Sequence, residues 1–134
     1  MAEMKLDAKQ IELLRSHKIL SLLGFAMKAG KLITGADKIC DEIRRHGLPS
    51  DESKGYSTCG IVLIASNVSD NTKKRILNAC KFYRVEAYRS NLSQEQIADK
   101  IGKSVTAACA IFDRGFADGI RNAISCDHLP NSIK

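Results

Sequence analysis

Residues 102–104 (Gly-Lys-Ser) are of the types that bind phosphate in a P-loop. The full motif needs a second glycine five residues before Gly102, where this chain has Ile97. It also needs a helix afterwards, whereas the apolar run that starts at Val105 predicts a strand. The sequence therefore predicts no nucleotide hydrolysis.

Asp37 and Asp41 lie one helical turn apart, which is a spacing that an acid–base pair could use. Carboxylates at this spacing are more often a solvated helix face. The three histidines stand at no telling distance from a nucleophile, and the chain has neither a GxSxG nor a GxGxxG motif. We therefore expect no catalytic residues, no enzyme activity and no cofactor.

The five cysteines are widely spaced and form no CxxC pair, so no metal site is expected. Cys40, Cys80 and Cys109 fall on predicted apolar faces, where a free cysteine acts as a small hydrophobic residue. That usage suits a reducing cytosol. The first ten residues are of mixed charge and no apolar run is long enough to span a membrane, so we expect a cytoplasmic protein without membrane contact.

An alternating series of strands and helices must position these residues. The run Ile-Val-Leu-Ile at residues 61–64 lies between Gly60 and a polar cluster, which is the pattern of a strand buried on both faces. Residues 105–112 predict a second strand of this kind, residues 31–33 predict a short edge strand, and residues 85–88 predict a fourth strand. The order α-β-α-β-α-β-α-β-α predicts an α/β fold: a single-domain, three-layer α-β-α sandwich around a mixed four-stranded sheet.

Apolar periodicity, capping residues and glycines predict the helices. The first runs from about residue 7 to 29, in one piece or in two with a break near residues 16–17. Gly35 precedes the second helix, and Ser69 or Asp70 caps the third. A capping box at Ser93–Gln96 begins the fourth helix and Gly102 ends it. Asp113 caps the fifth helix, whose apolar stripe is Phe116, Ile120 and Ile124.

One core domain accounts for most of the 134 residues. We divide the chain into an N-terminal helical extension at residues 1–18, an α-β-α domain at residues 19–125 and a tail at residues 126–134. Within the domain, residues 48–59 are polar and contain Pro49 and Gly55, which predicts a mobile surface loop.

The net charge of +6 favours polyanionic partners, nucleic acid first, although a merely soluble basic protein has the same charge. Aromatic residues make up only 5% of the chain and tryptophan is absent, which argues against binding single strands by base stacking. Lys73, Lys74 and Arg75 are either a solvated helix face or a set of phosphate contacts, and we expect them to steer a polyanion more than to read it.

Five blocks of sequence, taken in order, resemble one known family. They are residues 22–35 (LLGFAMKAGKLITG), 65–67 (ASN), 69–74 (SDNTKK), 101–104 (IGKS) and 112–117 (FDRGFA). Together they resemble the kink-turn RNA-binding ribosomal protein superfamily of the L7Ae and L30e type, and within it a small bacterial YlxQ-like branch. The resemblance covers residues 20–124 and leaves out the extension, part of the loop near residues 50–57 and the tail.

The resemblance implies a sandwich that grips the sharp bend of a kink-turn in RNA through three patches. In relatives these are the start of the second helix, the loop after the central strand and the loop before the last long strand. Mapped onto this chain, the implied RNA-binding residues are Lys28, Lys31, Gly35, Ala36, Asp37, Lys38 and Asp41; Ser66, Asn67 and Val68; and Lys103, Ser104, Val105 and Thr106.

The chain departs from the pattern of strong kink-turn binders just after Gly35. Those proteins have an Asn-Glu pair there and a lysine three residues beyond the glutamate, whereas this chain has Ala36, then Asp37 and Lys38, and then Asp41. A carboxylate or a lysine can still hydrogen-bond guanine edges. Asp41, however, places an anion where a cation would face RNA, which predicts weaker binding at physiological salt.

We therefore predict a non-enzymatic RNA-binding protein that recognises structured, kink-turn-like RNA, with ribosomal RNA or the ribosome as candidate partners and no DNA expected. The alternative from another class is a protein-interaction module that kept the fold and lost kink-turn affinity, which Asp41 favours. An enzyme with a small-molecule pocket lined by Asp37 and Asp41 ranks third.

Overall fold

The structure is a computed structural model that describes residues 7–46, 60–102 and 106–125. The predicted loop at residues 48–59 and the tail at residues 126–134 fall outside these ranges. The described residues form five helices and four strands in the predicted alternating order. The elements are α1 (Ala8–Lys28), β1 (Leu32–Thr34), α2 (Ala36–His46), β2 (Ile61–Ile64), α3 (Asp70–Tyr83), β3 (Glu86–Arg89), α4 (Gln94–Ile101), β4 (Ala108–Ile111) and α5 (Arg114–Ile124).

The four strands form one mixed sheet in the order β1-β4-β2-β3. β2 pairs parallel with β3 and antiparallel with β4, and β4 pairs antiparallel with β1. Every residue of β2 and of β4 is buried, as expected for strands with helices over both faces. Residue 60, just before β2, must be glycine, because a Cβ there would lie only 2.3 Å from the ring of Phe112.

The helices form two layers. α2 and α3 pack against each other, and α1 packs against both α4 and α5. The core between the layers contains the two central strands and the apolar stripes of the helices, including Ile39, Ile76, Ile97 and Ile120. The predicted single-domain α-β-α sandwich around a mixed four-stranded sheet is thus confirmed.

Local signals decide where most helices begin and end. Ser69, and not Asp70, caps α3, because its side chain accepts from the Thr72 N–H. The predicted capping box of α4 is confirmed, with Ser93 and Gln96 exchanging hydrogen bonds. Gly102 ends α4 in a left-handed conformation at φ +77°, which favours glycine.

Apart from shifts of one residue in β1 and β3, the structure differs from the sequence-based expectations at three elements. α1 is one unbroken helix, held at its start by an Asp7–Gln10 capping box, and has no break near residues 16–17. β4 begins at Ala108, later than expected, and the Thr106 hydroxyl that precedes it donates to the Ala108 carbonyl. In α5 the fully buried positions are Ala117, Ile120 and Ala123, while Phe116 and Ile124 are half-buried.

The cysteines that the structure describes are buried, as the sequence indicates. Cys40, Cys80 and Cys109 carry free thiols and are at most 3% exposed. Burial raises the pKa of Cys80 and of Cys109 to about 12. The thiols of Cys80 and Cys109 therefore stay neutral at pH 7, and both residues act as small apolar side chains.

Candidate functional site

The register of the sheet brings three connecting segments to one edge. Ile64 at the end of β2 lies opposite Ala108 at the start of β4, and Thr34 at the end of β1 lies opposite Cys109. The Ala65 N–H also donates to the Ala107 carbonyl at 2.9 Å. The start of α2, the loop after β2 and the segment before β4 therefore meet there. We call this the loop edge: residues 35–38, 66–68 and 106–107.

The first turn of α2 offers backbone donors at the loop edge. Gly35 adopts φ +95° and its carbonyl accepts from the Ile39 N–H at 2.9 Å, so the helix begins directly after it. The other four helices start at a capping side chain, namely Asp7, Ser69, Ser93 or Asp113. Gly35 has no side chain to cap with. The N–H groups of residues 36–38 and the positive end of the helix dipole are thus suited to an anion.

Asn67 in the loop after β2 is bonded to the start of α4. Its Oδ1 accepts from the Gln94 backbone N–H at 2.8 Å, and its Nδ2 donates to Glu95 Oε1 at 3.0 Å. Gln94 Nε2 in turn donates to the Asn67 carbonyl at 3.0 Å. The hydrogen bond from Asn67 lowers the pKa of Glu95. Asn67 therefore fixes the loop to α4.

The neighbours of Asn67 divide between surface and core. Ser66 is exposed and its N–H donates to the Leu92 carbonyl at 2.7 Å, whereas Val68 is buried. Thr106, at the start of the third segment, is also buried, with its hydroxyl on the Ala108 carbonyl. Lys103, Ser104 and Val105 lie outside the described residues. Among the described residues of these two segments, Ser66 and Asn67 are therefore exposed, whereas Val68 and Thr106 are buried.

Both carboxylates at the start of α2 have an arginine partner. Arg75 Nη2 on α3 lies 2.5 Å from Asp37 Oδ1, and Arg44 Nη1 lies 2.7 Å from Asp41 Oδ1. The hydrogen bond to Asp37 raises the pKa of Arg75. Lys38 is exposed on the same turn of α2, and Lys73 and Lys74 lie on α3 beside Arg75. The surface formed by α2 and α3 is thus cationic on balance, with seven Lys and Arg side chains against four carboxylates.

The structure separates two lysines from the rest of the expected contact set. Lys28, in the last turn of α1, lines a cleft together with Gly102 at the end of α4. Lys31 precedes β1, whereas Gly35 follows it. At ~3.3 Å per residue, the two are roughly 13 Å apart. Their contact with a ligand remains a prediction, but they do not join the loop edge directly.

Sequence reasoning missed the two contacts that organise this edge. The Arg75–Asp37 pair joins residues 38 positions apart, and the Asn67–Gln94 bond joins residues 27 positions apart. The sequence predicts that Arg75 steers a polyanion more than it reads one, and the family resemblance implies that Asn67 contacts RNA. Neither contact leaves a local sequence signal. The first contact forms only when α2 packs on α3, and the second forms only when α4 packs near the end of β2.

The candidate metal ligands and the two aspartates of α2 are distributed as follows in the described residues. No group of three or more His, Cys, Asp or Glu side chains within them could hold a metal ion. Asp37 and Asp41 each face an arginine, and neither of them lines the cleft between α1 and α4. In the same part of the chain, no helix is both long enough and apolar enough to cross a membrane.

Comparison with known proteins adds a family match and several relatives. Residues 17–120 match the model of the ribosomal protein L7Ae/L30e/S12e/Gadd45 family. A protein of Enterococcus faecium named RNA-binding protein YlxQ is 34% identical over 108 residues, covering 81% of this chain and 92% of the relative. The protein of the same name from Bacillus subtilis (strain 168) is 31% identical over 97 residues, covering 72% and 85%.

Two solved structures share the fold. A protein of unknown function from Bacillus halodurans superposes with a TM-score of 0.67 at 24% identity, covering 81% of this chain and 98% of that one. A 15.5 kDa RNA-binding protein of Giardia lamblia gives a TM-score of 0.58 at 14% identity, covering 82% and 84%. At these identities the likeness concerns the fold alone.

Removal of the Asn67 side chain should destabilise the fold by an amount that depends on pH. Asn67→Ala should lower the free energy of unfolding at pH 7 by about 1 kcal/mol, because the Gln94 N–H loses its acceptor. Glu95, with its pKa lowered in the folded state, contributes stability above its ordinary pKa of 4.5, and this contribution is lost as the pH falls through the folded value.

The difference between Asn67→Ala and the unmodified chain should therefore shrink in acid. Urea unfolding between pH 7 and pH 3 measures it. Asn122→Ala, at an exposed position of α5, is the matched control and should cost no stability, because alanine is the better helix former. Equal unfolding free energies for the two variants would contradict the role assigned to Asn67.

Proposed function

The chain belongs to the ribosomal protein L7Ae/L30e/S12e/Gadd45 family, and we propose that it is a non-enzymatic protein that binds structured RNA at the loop edge. The observation that carries the proposal is the meeting of an uncapped helix start, an exposed loop and basic helices at one end of the sheet. Relatives named RNA-binding protein YlxQ support the same partner.

We propose further that the preferred RNA has a sharp, kink-turn-like bend. At the loop edge, the start of α2 and the loop after β2 lie on either side of the start of β4, so one bent backbone would contact both. The N–H groups of residues 36–38 would meet phosphate, while the Asp37 carboxylate and the Lys38 ammonium would meet base edges in the groove. The segment at residues 103–106 would complete the contact.

The ion pairs of α2 reduce the repulsion that the Asp41 carboxylate would exert on an RNA phosphate. Arg44 lies 2.7 Å from this carboxylate and Arg75 lies 2.5 Å from that of Asp37, so neither carboxylate would meet a phosphate as an isolated negative charge. Salt bridges exposed to this extent are weak and exchangeable. We infer that RNA binding is weakened by Asp41 but not abolished.

We propose that the protein acts in the cytoplasm and that ribosomal RNA is the first partner to test.

A second candidate function is a protein-interaction module. It is favoured by the two exposed ion pairs of α2, since Asp37–Arg75 and Asp41–Arg44 present balanced charge to a partner. Salt-dependent binding of RNA distinguishes the two candidates.

Titration of a kink-turn RNA duplex tests the proposal, against a straight duplex of equal length, at low and at physiological salt. We expect tighter binding to the bent RNA at both salt concentrations. Lys38→Ala should weaken it by about fivefold or more, because a hydrogen bond to a charged group is lost. Lys81→Ala, at the exposed far end of α3, is the matched control. Equal, weak binding to both duplexes that salt erases would contradict the proposal.

Replacement of Asp41 tests the inferred penalty. Asp41→Lys should tighten binding of the bent RNA and make the dependence of log K on log salt steeper by about 1, because a cation replaces an anion near phosphate. Asp118→Lys is the matched control, since Asp118 is also exposed and also has an arginine three residues later, at 2.8 Å. A similar gain from both variants would show a net-charge effect only.

A further inference from the structure

A cleft outside the loop edge lies between the C-terminal half of α1 and the end of α4. Its volume is about 370 Å³, within the range of sites that hold small organic ligands. Phe25 and Lys28 line it from α1, and Asp99 and Lys100 line it from α4. Apart from Lys28, none of these residues belongs to the RNA contacts that the family resemblance implies.

Phe25 supplies an open aromatic surface. Its side chain is 60% exposed although it lies beside buried positions of α1, such as Leu23 and Ala26. A single exposed apolar residue is ordinary on a protein surface. This ring, however, faces a concave site that also contains cationic side chains, and such a combination suits a ligand with one flat apolar part and one anionic part.

Gly24 and Lys100 form another wall of the cleft. A Cβ at Gly24 would lie 3.3 Å from Lys100 Cε and 3.7 Å from Lys100 Cγ, so the aliphatic stem of this lysine packs directly on α1. Glycine inside a helix is less favourable than alanine. The close approach of the Lys100 stem is a physical reason for glycine here, and it keeps the Lys100 ammonium near the cleft.

The charges of the cleft indicate its ligand. Lys28 and Lys100 are exposed cations, and Asp99 is an exposed carboxylate on the turn of α4 next to Lys100. Two ammonium groups suit a phosphate, and a carboxylate can accept from a ring N–H or an exocyclic amine of a base. An aromatic ring, cations and one acceptor together match a nucleotide.

We propose that this cleft binds one unpaired nucleotide of the RNA, with its base on the Phe25 ring and its phosphate between Lys28 and Lys100. The inference rests on the proposed RNA-binding function and extends it to a second subsite. Gly102 lines the cleft and precedes Thr106 of the loop edge by only four residues, so one RNA strand can contact both sites. A site for one base agrees with the low aromatic content.

Amide chemical shifts of the full, nitrogen-15-labelled chain test the subsite without any folded RNA. The probe is adenosine 5′-monophosphate at millimolar concentration, with ribose 5-phosphate as the ligand that lacks a base. We expect the adenosine nucleotide to shift the amides of Gly24 and Gly102 and to bind at least about fivefold more tightly than ribose 5-phosphate, because stacking adds to the phosphate contact. Equal affinities, or a short acidic peptide that shifts these amides as strongly, would overturn the proposal.

Phe25→Leu isolates the role of the ring, since leucine keeps an apolar side chain but offers no flat surface. It should weaken binding of the nucleotide by at least about fivefold. Phe82→Leu is the matched control, because Phe82 is similarly exposed, at 51%, on α3. Equal affinities for the two variants would overturn the assignment of Phe25, provided that both give the native amide spectrum.

Titration of the bent RNA with and without one unpaired nucleotide at either end separates this inference from the proposed function. The unpaired nucleotide should tighten binding at one end, and Phe25→Leu should remove that gain while leaving the blunt RNA bound as before. Binding of the blunt RNA without any gain overturns the subsite alone. Failure of the blunt RNA to bind contradicts the proposed function, whereas the nucleotide titration still decides on the cleft.

Discussion

The antiparallel pairing of β2 with β4 is the constraint on which the rest of the structure depends. Both strands are buried on both faces, so their register is fixed by core packing, and a slip by one residue would exchange the faces of four apolar side chains. Because Ile64 lies opposite Ala108, the end of β2 and the start of β4 share one edge. Pairing of β1 with β4 brings the start of α2 to the same place. The candidate site is a consequence of this register.

The balance of charges on α2 determines how well the loop edge can attract an anion. The helix start attracts anions through its dipole and its N–H groups, whereas Asp37 and Asp41 oppose an approaching phosphate. Arg75 and Arg44 reduce the opposition, and Arg75 does so from a different helix. Packing of α2 on α3 thus contributes to the electrostatics of the edge as well as to the core. Substitutions between α2 and α3 would therefore change the affinity for RNA even at residues that do not contact the RNA.

Local chemistry made much of the fold predictable. The apolar run at residues 61–64, the capping box at Ser93 and the glycine at the end of α4 each determine an element through nearest neighbours in the chain. The site was less predictable, because its contacts join distant residues. Arg75 meets Asp37 and Asn67 meets Gln94 only after the helices have packed. β4 also starts later than the apolar pattern predicts, and the pattern does not reveal the bond from the Thr106 hydroxyl to the Ala108 carbonyl.

Amide hydrogen exchange of the full chain, with and without the bent RNA, tests most directly whether the loop edge binds RNA. The N–H groups of residues 36–38 have no capping side chain at Gly35, so they should exchange fast in the free protein and slowly in the complex. Ser66, whose side chain is exposed at the same edge, should lie within the protected surface. Unchanged exchange at residues 36–38, with protection confined to the outer faces of α3 or α5, would contradict the account.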